Sequence, residues 1–416
     1  MRWSLLRIPA FRALWLGRLL SWVGSGLAPL ALVFAAIDLG ADALGVALVV
    51  AARSVPNVAL VLVGGALSDR WPKRVVAVAS SALSSAALVV AATLLLLDRE
   101  TLAALAAAAA VNGAAAAFFG PATSALLRDV IPPSAIRDGT VLARTSMNVG
   151  LIVGTALGGA VVATLGTGVG LAVGAALFAA AGLVFRGVPR GLPRASAGGS
   201  LLRDLGSGLA FVGRSRWLTA TLTLAFAFQF AFAGGVQILG PLVADESFGR
   251  LLWGLAGAVQ TLGLVVGAVW AGQLRGRLRL AVASLGTTAL VAPLLLLAGA
   301  HVDVPGVLDP PLVDPLHWFF WLSVGLFVAS VGLEVFTVPL DVTIQLQVPP
   351  AYLGRVFACL TLASLAGMPA GELVVGPVAR AVGAPVTLLG LAALVVVVAV
   401  AVALTPRVRK VDALQA

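Results

Sequence analysis

Long runs of apolar residues are the feature that most limits what this chain can fold into. A helix that crosses a bilayer needs about 20 apolar residues, and runs of that length recur along the whole sequence between short polar breaks. The strands of a membrane barrel would instead show alternating segments of roughly 10 residues, which do not occur here. The pattern predicts an all-α membrane protein. The predicted spans are 11–37, 43–67, 75–97, 101–127, 140–164, 166–185, 217–242, 250–274, 280–300, 316–340, 354–378 and 384–405.

Composition agrees with a membrane location and argues against a nucleic-acid partner. Charged residues make up 11 % of the 416 residues, whereas a soluble chain carries roughly 25 %. The net charge of +10 is spread over short basic clusters between the apolar runs, which is how membrane proteins place charge on one side of the bilayer. We therefore expect a lipid bilayer around the protein and no nucleic acid bound to it.

The distribution of basic residues predicts the orientation of the spans. With the N-terminus inside, only Arg99, Arg250 and Arg380 of the 27 Lys and Arg residues fall in outer loops, and Arg18 and Arg53 fall within spans. Cytoplasmic loops are the ones that carry an excess of Lys and Arg. The sequence thus predicts a protein integral to a prokaryotic cytoplasmic (inner) membrane, with both termini in the cytoplasm.

A polar, Arg-rich stretch at roughly 186–216 divides the spans six and six. The halves share short sequences, since Ala77-Val-Ala-Ser80 recurs as Ala281-Val-Ala-Ser284 and Ile131-Pro-Pro recurs as Val348-Pro-Pro. Two parallel repeats of six helices are typical of transporters that rock around a site between the halves. The predicted divisions are an N-terminal half at 1–190, a cytoplasmic linker at 191–215 and a C-terminal half at 216–416.

The loop after the second span carries the most specific motif. Its sequence, Gly64-Gly-Ala-Leu-Ser-Asp-Arg-Trp-Pro-Lys-Arg74, resembles the loop motif of the major facilitator superfamily. The resemblance implies the major facilitator fold, with twelve transmembrane helices in two pseudo-symmetric six-helix halves. It also implies a conformational latch formed by Gly65, Asp69, Arg70, Lys73 and Arg74. The alternative is an ordinary basic turn that only anchors topology.

A glycine-rich segment in the fifth span is the second motif. Gly150, Gly154, Gly158 and Gly159 resemble the glycine motif of the superfamily's antiporters, in which a Gly-Pro pair precedes a Gly-Gly pair. Thr155 replaces the proline here. The resemblance implies export, and the small residues predict close packing against a neighbouring helix. The alternative is an ordinary packing face of small residues.

A broader resemblance links the N-terminal half to one exporter branch. The segments Pro9-Ala-Phe-Arg-Ala-Leu-Trp-Leu-Gly17, Arg53-Ser-Val-Pro56 and Gly120-Pro121-Ala122, together with Asn148, are similar to the branch of drug:proton antiporters that includes the enterobactin exporter and macrolide-efflux proteins. Many drug:proton antiporters carry an arginine in the fourth span, four residues before a glycine. Ala109 occupies that place here, so the proton-coupling role of that arginine does not transfer.

Five ionisable residues lie within or near the ends of predicted spans, where charges are costly and default to functional hypotheses. Carboxyl groups in a low-dielectric surrounding favour their neutral form and can exchange protons. Glu334 is the first candidate for proton coupling, followed by Glu372, and Asp341 lies near the inner end of the tenth span. Each glutamate has the alternative of a structural ion pair, for instance with Arg18 or Arg53.

Polar residues within the other spans are candidates for binding a substrate. Each is also a reasonable interhelical hydrogen-bonding contact. The candidates for the cavity and substrate are Arg18, Arg53, Asn112, Asn148, Gln229 and Gln260.

The sequence offers little for a metal site or an enzyme. His301 and His317 lie near aspartates of one outer loop, but their spacing matches no compact metal site. No HExxH or GxSxG motif and no Walker loop occurs. We expect no metal, no cofactor and no enzymatic activity, with a proton gradient as the energy source.

The leading hypothesis is therefore a monomeric secondary active transporter that exports small amphipathic molecules of a drug, macrolide or siderophore-like kind in exchange for protons. The alternative is an uptake transporter for a metabolite or organic anion, for which Arg18 and Arg53 would supply paired charges, or a lipid transporter.

Overall fold

The computed structural model describes residues 3–68, 71–189, 201–274, 279–299 and 315–413. Every regular element in these ranges is a helix. Within them, 12 helices are long and apolar enough to cross a membrane. Helices suit this role because they satisfy all their backbone hydrogen bonds internally. The predicted all-α membrane fold is confirmed.

The chain forms two compact units, Met1–Gly198 and Gly199–Ala416. In the first unit α1 packs against α5 and α6, α2 packs against α4, and α3 packs against both α4 and α6. The helices of this unit are α1 Pro9–Asp38, α2 Ala43–Ser68, α3 Lys73–Leu96, α4 Leu102–Val130, α5 Ile136–Leu165 and α6 Thr167–Phe185.

The second unit contains two spans that are not continuous α-helices. A π-helical segment, Phe232–Leu239, joins α8 to α9 in the seventh span, and a 3₁₀ segment, Gly286–Leu290, joins α11 to α12 in the ninth. The helices of this unit are α7 Leu201–Arg214, α8 Arg216–Ala231, α9 Gly240–Glu246, α10 Arg250–Gln273, α11 Leu280–Leu285, α12 Val291–Gly299, α13 Pro315–Gln347, α14 Pro350–Val382, α15 Ala384–Leu404 and α16 Pro406–Ala413.

Two glycines make the tightest connections at corresponding places in the two units. Gly166 separates α5 from α6 with φ +87°, and Gly383 separates α14 from α15 with φ +90°. Side chains disfavour this left-handed region, whereas glycine adopts it freely. The same turn thus joins the last two spans of each unit, as expected for a repeat.

The stretch predicted as a linker at 191–215 contains the helix α7. Val212 of this helix is buried, and the ring of Phe211 stacks on that of Tyr352 in α14 with centroids 4.7 Å apart. Gly208 lies against Arg355 and Cys359 of α14. The stretch with a polar composition therefore contains a helix, one face of which packs against α14 of the same unit.

Candidate functional site

Arg18 is buried within the first unit, where its side chain is 8 % exposed. Its Nη1 donates a hydrogen bond of 2.6 Å to Oγ1 of Thr123 in α4, and its Nη2 donates a longer one of 3.5 Å to the carbonyl oxygen of Ala143 in α5. Both acceptors are neutral. The hydroxyl of Thr123 in turn donates to the carbonyl oxygen of Phe119, which leaves its lone pairs available to Arg18.

Arg53 in α2 joins a different part of α4. Its Nε donates a hydrogen bond of 3.1 Å to Oδ1 of Asn112, which is itself buried. One turn further along α2, Nδ2 of Asn57 donates a hydrogen bond of 3.1 Å to the carbonyl oxygen of Gly113 in α4. A Cβ atom on Gly113 would overlap the backbone of Arg53. The structure thus brings two predicted substrate residues, Arg53 and Asn112, together as an interhelical contact.

The two arginines do not share a partner. Thr123 and Asn112 lie roughly three turns apart on α4, or about 16 Å along its axis. A single small anion bound between Arg18 and Arg53, as the anion-uptake alternative supposes, does not fit these partners. Arg18 and Arg53 therefore contact separate sites on α4.

The glycines of the fifth span face α1. Gly150 lies against Leu19 and Trp22, Gly154 against Val23, and Gly158 against Leu27. Thr155, which stands where antiporters have proline, donates its hydroxyl to the carbonyl oxygen of Leu151 within the same helix. Gly159 is buried on the same helix, and Asn148 is half-buried two residues before this segment.

The proposed latch residues lie at the end of α2 and the start of α3. Asp69 and Arg70 are outside the described residues, and Gly65 belongs to the last turns of α2, whose side chains are also outside them. Lys73 is buried at the start of α3. Nη1 of Arg74 donates to the carbonyl oxygens of Arg186 and Val188, at 3.2 and 3.1 Å, just beyond the end of α6. Arg74 therefore supports the C-terminal end of a helix in its own unit.

Glu334 occupies the middle of α13, the tenth span, and is half-buried. Its Oε2 accepts a hydrogen bond of 3.2 Å from Oγ1 of Thr337. A Cβ atom on Gly267 of α10 would lie 3.0 Å from Cβ of Glu334, so the carboxylate side chain leaves α13 at a close helix contact. Asp341, two turns further along α13, is half-buried as well.

Glu372 of α14 is the most deeply buried carboxyl group of the described residues, with 1 % exposure. The neighbouring Gly371 lies against the backbone of Phe230 in α8, and Gly367 lies against Cβ of Gln229. The structure thus places Gln229 and Glu372 along one contact between α8 and α14. Gln260 is half-buried on α10.

Sequence reasoning missed the partners of Arg18. Thr123 directly follows the segment Gly120-Pro121-Ala122, and Ser21 and Trp22 follow Arg18 at spacings of three and four residues, which place them on one face of a helix. The spacing of Arg18, Ser21 and Trp22 therefore indicates that they share one face of α1. The contact between Arg18 and Thr123 of α4 is known only from the structure.

No group of three or more His, Cys, Asp or Glu side chains within the described ranges is arranged to hold a metal ion. His301 and the aspartates of the same outer loop lie outside those ranges, and His317 is exposed at the start of α13.

The described residues form 12 apolar spans in two units, with charged side chains inside the spans, as is typical of polytopic membrane transporters. A family model described as Transmembrane secretion effector matches residues 1–416. The chain belongs to this family of major facilitator transporters, and it is an integral membrane protein. No curated protein gives a significant sequence match to it.

Solved structures of transporters share the fold at low sequence identity. The nucleoside transporter NupG has a TM-score of 0.76 and 16 % identity, over 94 % of this chain and 98 % of that one. A POT family transporter in complex with 5-aminolevulinic acid has a TM-score of 0.75 and 13 % identity, over 96 % of each chain. A bacterial homolog of the human lysosomal transporter Spinster has a TM-score of 0.68 and 15 % identity, over 100 % of this chain and 97 % of that one. These proteins are transporters.

Proposed function

We propose that the protein is a proton-coupled exporter of small amphipathic molecules, such as drugs, macrolides or siderophore-like compounds, that works by alternating access. The match of the whole chain to a family described as Transmembrane secretion effector supports export as the direction of transport. The proposal places the protein as a monomer in the cytoplasmic membrane of a prokaryote, with both termini in the cytoplasm.

Proton coupling is proposed from the carboxyl groups of the second unit. Glu334 lies in a membrane span where Gly267 of α10 approaches α13, and Glu372 follows Gly371, which lies against α8. An ionised group is costly in a membrane span. Glu334 is the better candidate because it is only half-buried, so that protons have access to it. Glu372 and Asp341 follow. In this proposal the proton gradient supplies the energy for transport and no cofactor is needed.

The loop between α2 and α3 is proposed to act as the conformational latch. Gly65, Asp69, Arg70, Lys73 and Arg74 carry this role from the resemblance to the superfamily motif. The hydrogen bonds from Arg74 to the chain beyond α6 fix the start of α3 to a second helix end of the same unit, so that the loop has a rigid base.

The proposed function is tested with inverted membrane vesicles that contain the protein. An imposed gradient with an acidic interior is expected to drive accumulation of an amphipathic fluorescent dye, and an ionophore that collapses the gradient is expected to release it. Vesicles without the protein give the background. If accumulation is the same with and without the gradient for every dye, macrolide and siderophore tried, proton-coupled export loses its support.

Uptake of an organic anion is the second candidate, and the buried guanidinium of Arg18 with its neutral partners favours it. Right-side-out vesicles separate the two directions. Accumulation of an organic anion in right-side-out vesicles, without accumulation in inverted ones, would replace export by uptake.

A further inference from the structure

Three buried hydrogen-bond donors along one face of α1 have no hydrogen-bond partner among the described residues. They are Nε of Arg18, Oγ of Ser21 and Nε1 of Trp22. Residues three and four positions apart lie on the same face of a helix, so these donors form one surface, the α1 donor face. A buried donor without a partner costs free energy, and three donors within five residues of one helix require an explanation.

The charge of Arg18 adds to this cost. A guanidinium remains charged in proteins, and this one is 8 % exposed. Its hydrogen bonds go to the Thr123 hydroxyl and the Ala143 carbonyl, and no carboxylate in the described ranges hydrogen-bonds to it. A buried charge is normally paired with an opposite one. The α1 donor face therefore combines a fixed positive charge with two neutral donors.

The α1 donor face is held in place by α4. Arg18 contacts Thr123, and one turn further the ring of Trp22 meets that of Phe119 edge-on with centroids 6.0 Å apart. The hydroxyl of Thr123 donates to the carbonyl oxygen of Phe119, which links the two contacts. Donors fixed in this way lose little conformational entropy when they bind an acceptor.

We propose that the α1 donor face binds a carboxylate of the transported molecule, so that the cargo is an amphipathic organic monoanion. Arginine matches carboxylate geometry better than any other side chain. Ser21 and Trp22 add donors. This assignment deepens the proposed transport function and rests on it for the identity of the ligand as cargo.

Equilibrium binding to the purified full-length protein tests the proposal. The probes are an amphipathic xanthene dye with a free carboxyl group and the methyl ester of the same dye. The wild-type protein is expected to bind the acid at least about tenfold more tightly than the ester, as a charge-assisted hydrogen bond allows. Arg18→Gln should remove this preference, and Arg18→Lys should retain part of it.

Matched variants separate recognition from folding. Arg12→Gln removes a charge from an exposed position of the same helix and should leave the preference unchanged. Ser21→Ala and Trp22→Phe keep the charge of Arg18 and should each weaken acid binding severalfold without changing ester binding. If Arg18→Gln does not fold, these two variants still test the proposal.

Equal affinity of the wild-type protein for acid and ester would overturn the proposal, as would an equal loss of both in Ser21→Ala and Trp22→Phe. Failure of the proposed export is distinguishable from this result, because export is measured as gradient-driven accumulation of the acid dye in inverted vesicles. The binding preference is measured without any gradient.

Discussion

Gly154 of α5 lies directly against Val23 of α1, so closely that a Cβ atom at position 154 would overlap the carbonyl oxygen of Val23. Gly150 and Gly158 continue this contact one turn to either side. Small residues allow such close approach between membrane helices. The antiporter-like glycines thus form the contact surface between α1 and α5, and α1 carries Arg18.

Gly154→Ala is expected to destabilise the protein, because the added methyl group must push α5 away from α1. Overpacking of this kind costs about 1–3 kcal/mol. Thermal unfolding in detergent measures the effect. Gly390→Ala in α15 is the matched control, since a Cβ atom there meets open space and alanine favours the helix. Equal unfolding temperatures for the two variants would contradict the close contact.

Glu334→Gln is expected to reduce gradient-driven dye accumulation to the level of vesicles without the protein, because glutamine cannot exchange a proton. Energy-independent exchange of dye across the membrane should persist, since the hydrogen bond from Thr337 needs only an oxygen acceptor. Vesicle fluorescence with and without a pH gradient measures both activities.

Glu246→Gln removes an exposed carboxyl group at the end of α9 and serves as the control for Glu334→Gln. It should retain gradient-driven accumulation. Full accumulation by Glu334→Gln as well would rule out Glu334 as the coupling residue, and the same measurement on Glu372→Gln would then follow.

Removing either side chain of the Arg53–Asn112 pair is expected to lower stability non-additively. Interhelical hydrogen bonds in membranes contribute on the order of 1 kcal/mol, so Arg53→Met, Asn112→Leu and the double variant should show a coupling of about that size in unfolding measurements. Additive effects, together with changed substrate selectivity in each single variant, would instead support the prediction that both residues bind substrate.

The apolar runs were sufficient to predict the twelve spans, because a helix must satisfy its backbone internally in lipid. Arg18 and Arg53 were recognisable as costly residues for the same reason. Their partners Thr123 and Asn112 were not, since pairing across helices depends on the rotation and register of each helix, which apolarity leaves undetermined. The helix α7 was missed because Gly, Ser and Arg outnumber the apolar residues over the whole stretch 191–215.

Glu100 lies in the connection between α3 and α4, outside the spans. Partial burial raises the pKa of its carboxyl group, and the nearby backbone N–H of Thr101 partly opposes this effect. A raised pKa means that the folded state favours the protonated form, so ionisation lowers stability as the pH rises above the ordinary glutamate range. Glu100→Gln should therefore unfold at a higher temperature than the wild-type protein at neutral pH, and the difference should vanish in acid. A difference that is constant with pH would contradict this cause.

Gly208 of α7 covers Cys359, the single cysteine of the chain. A Cβ atom on Gly208 would lie 3.0 Å from the Arg355 carbonyl oxygen and 3.1 Å from Sγ of Cys359, which is 2 % exposed. Gly208→Leu is therefore expected to displace α7 from α14. Overpacking costs about 1–3 kcal/mol, which corresponds to a rise of about tenfold or more in the exposed population of Cys359. A membrane-permeant maleimide should label Cys359 faster by the same factor. Gly206→Ala, where a Cβ atom meets open space, should label as slowly as the wild-type protein. Slow labelling of Gly208→Leu would show that α7 does not shield the thiol, whereas fast labelling would give a direct reporter of α7 docking during transport.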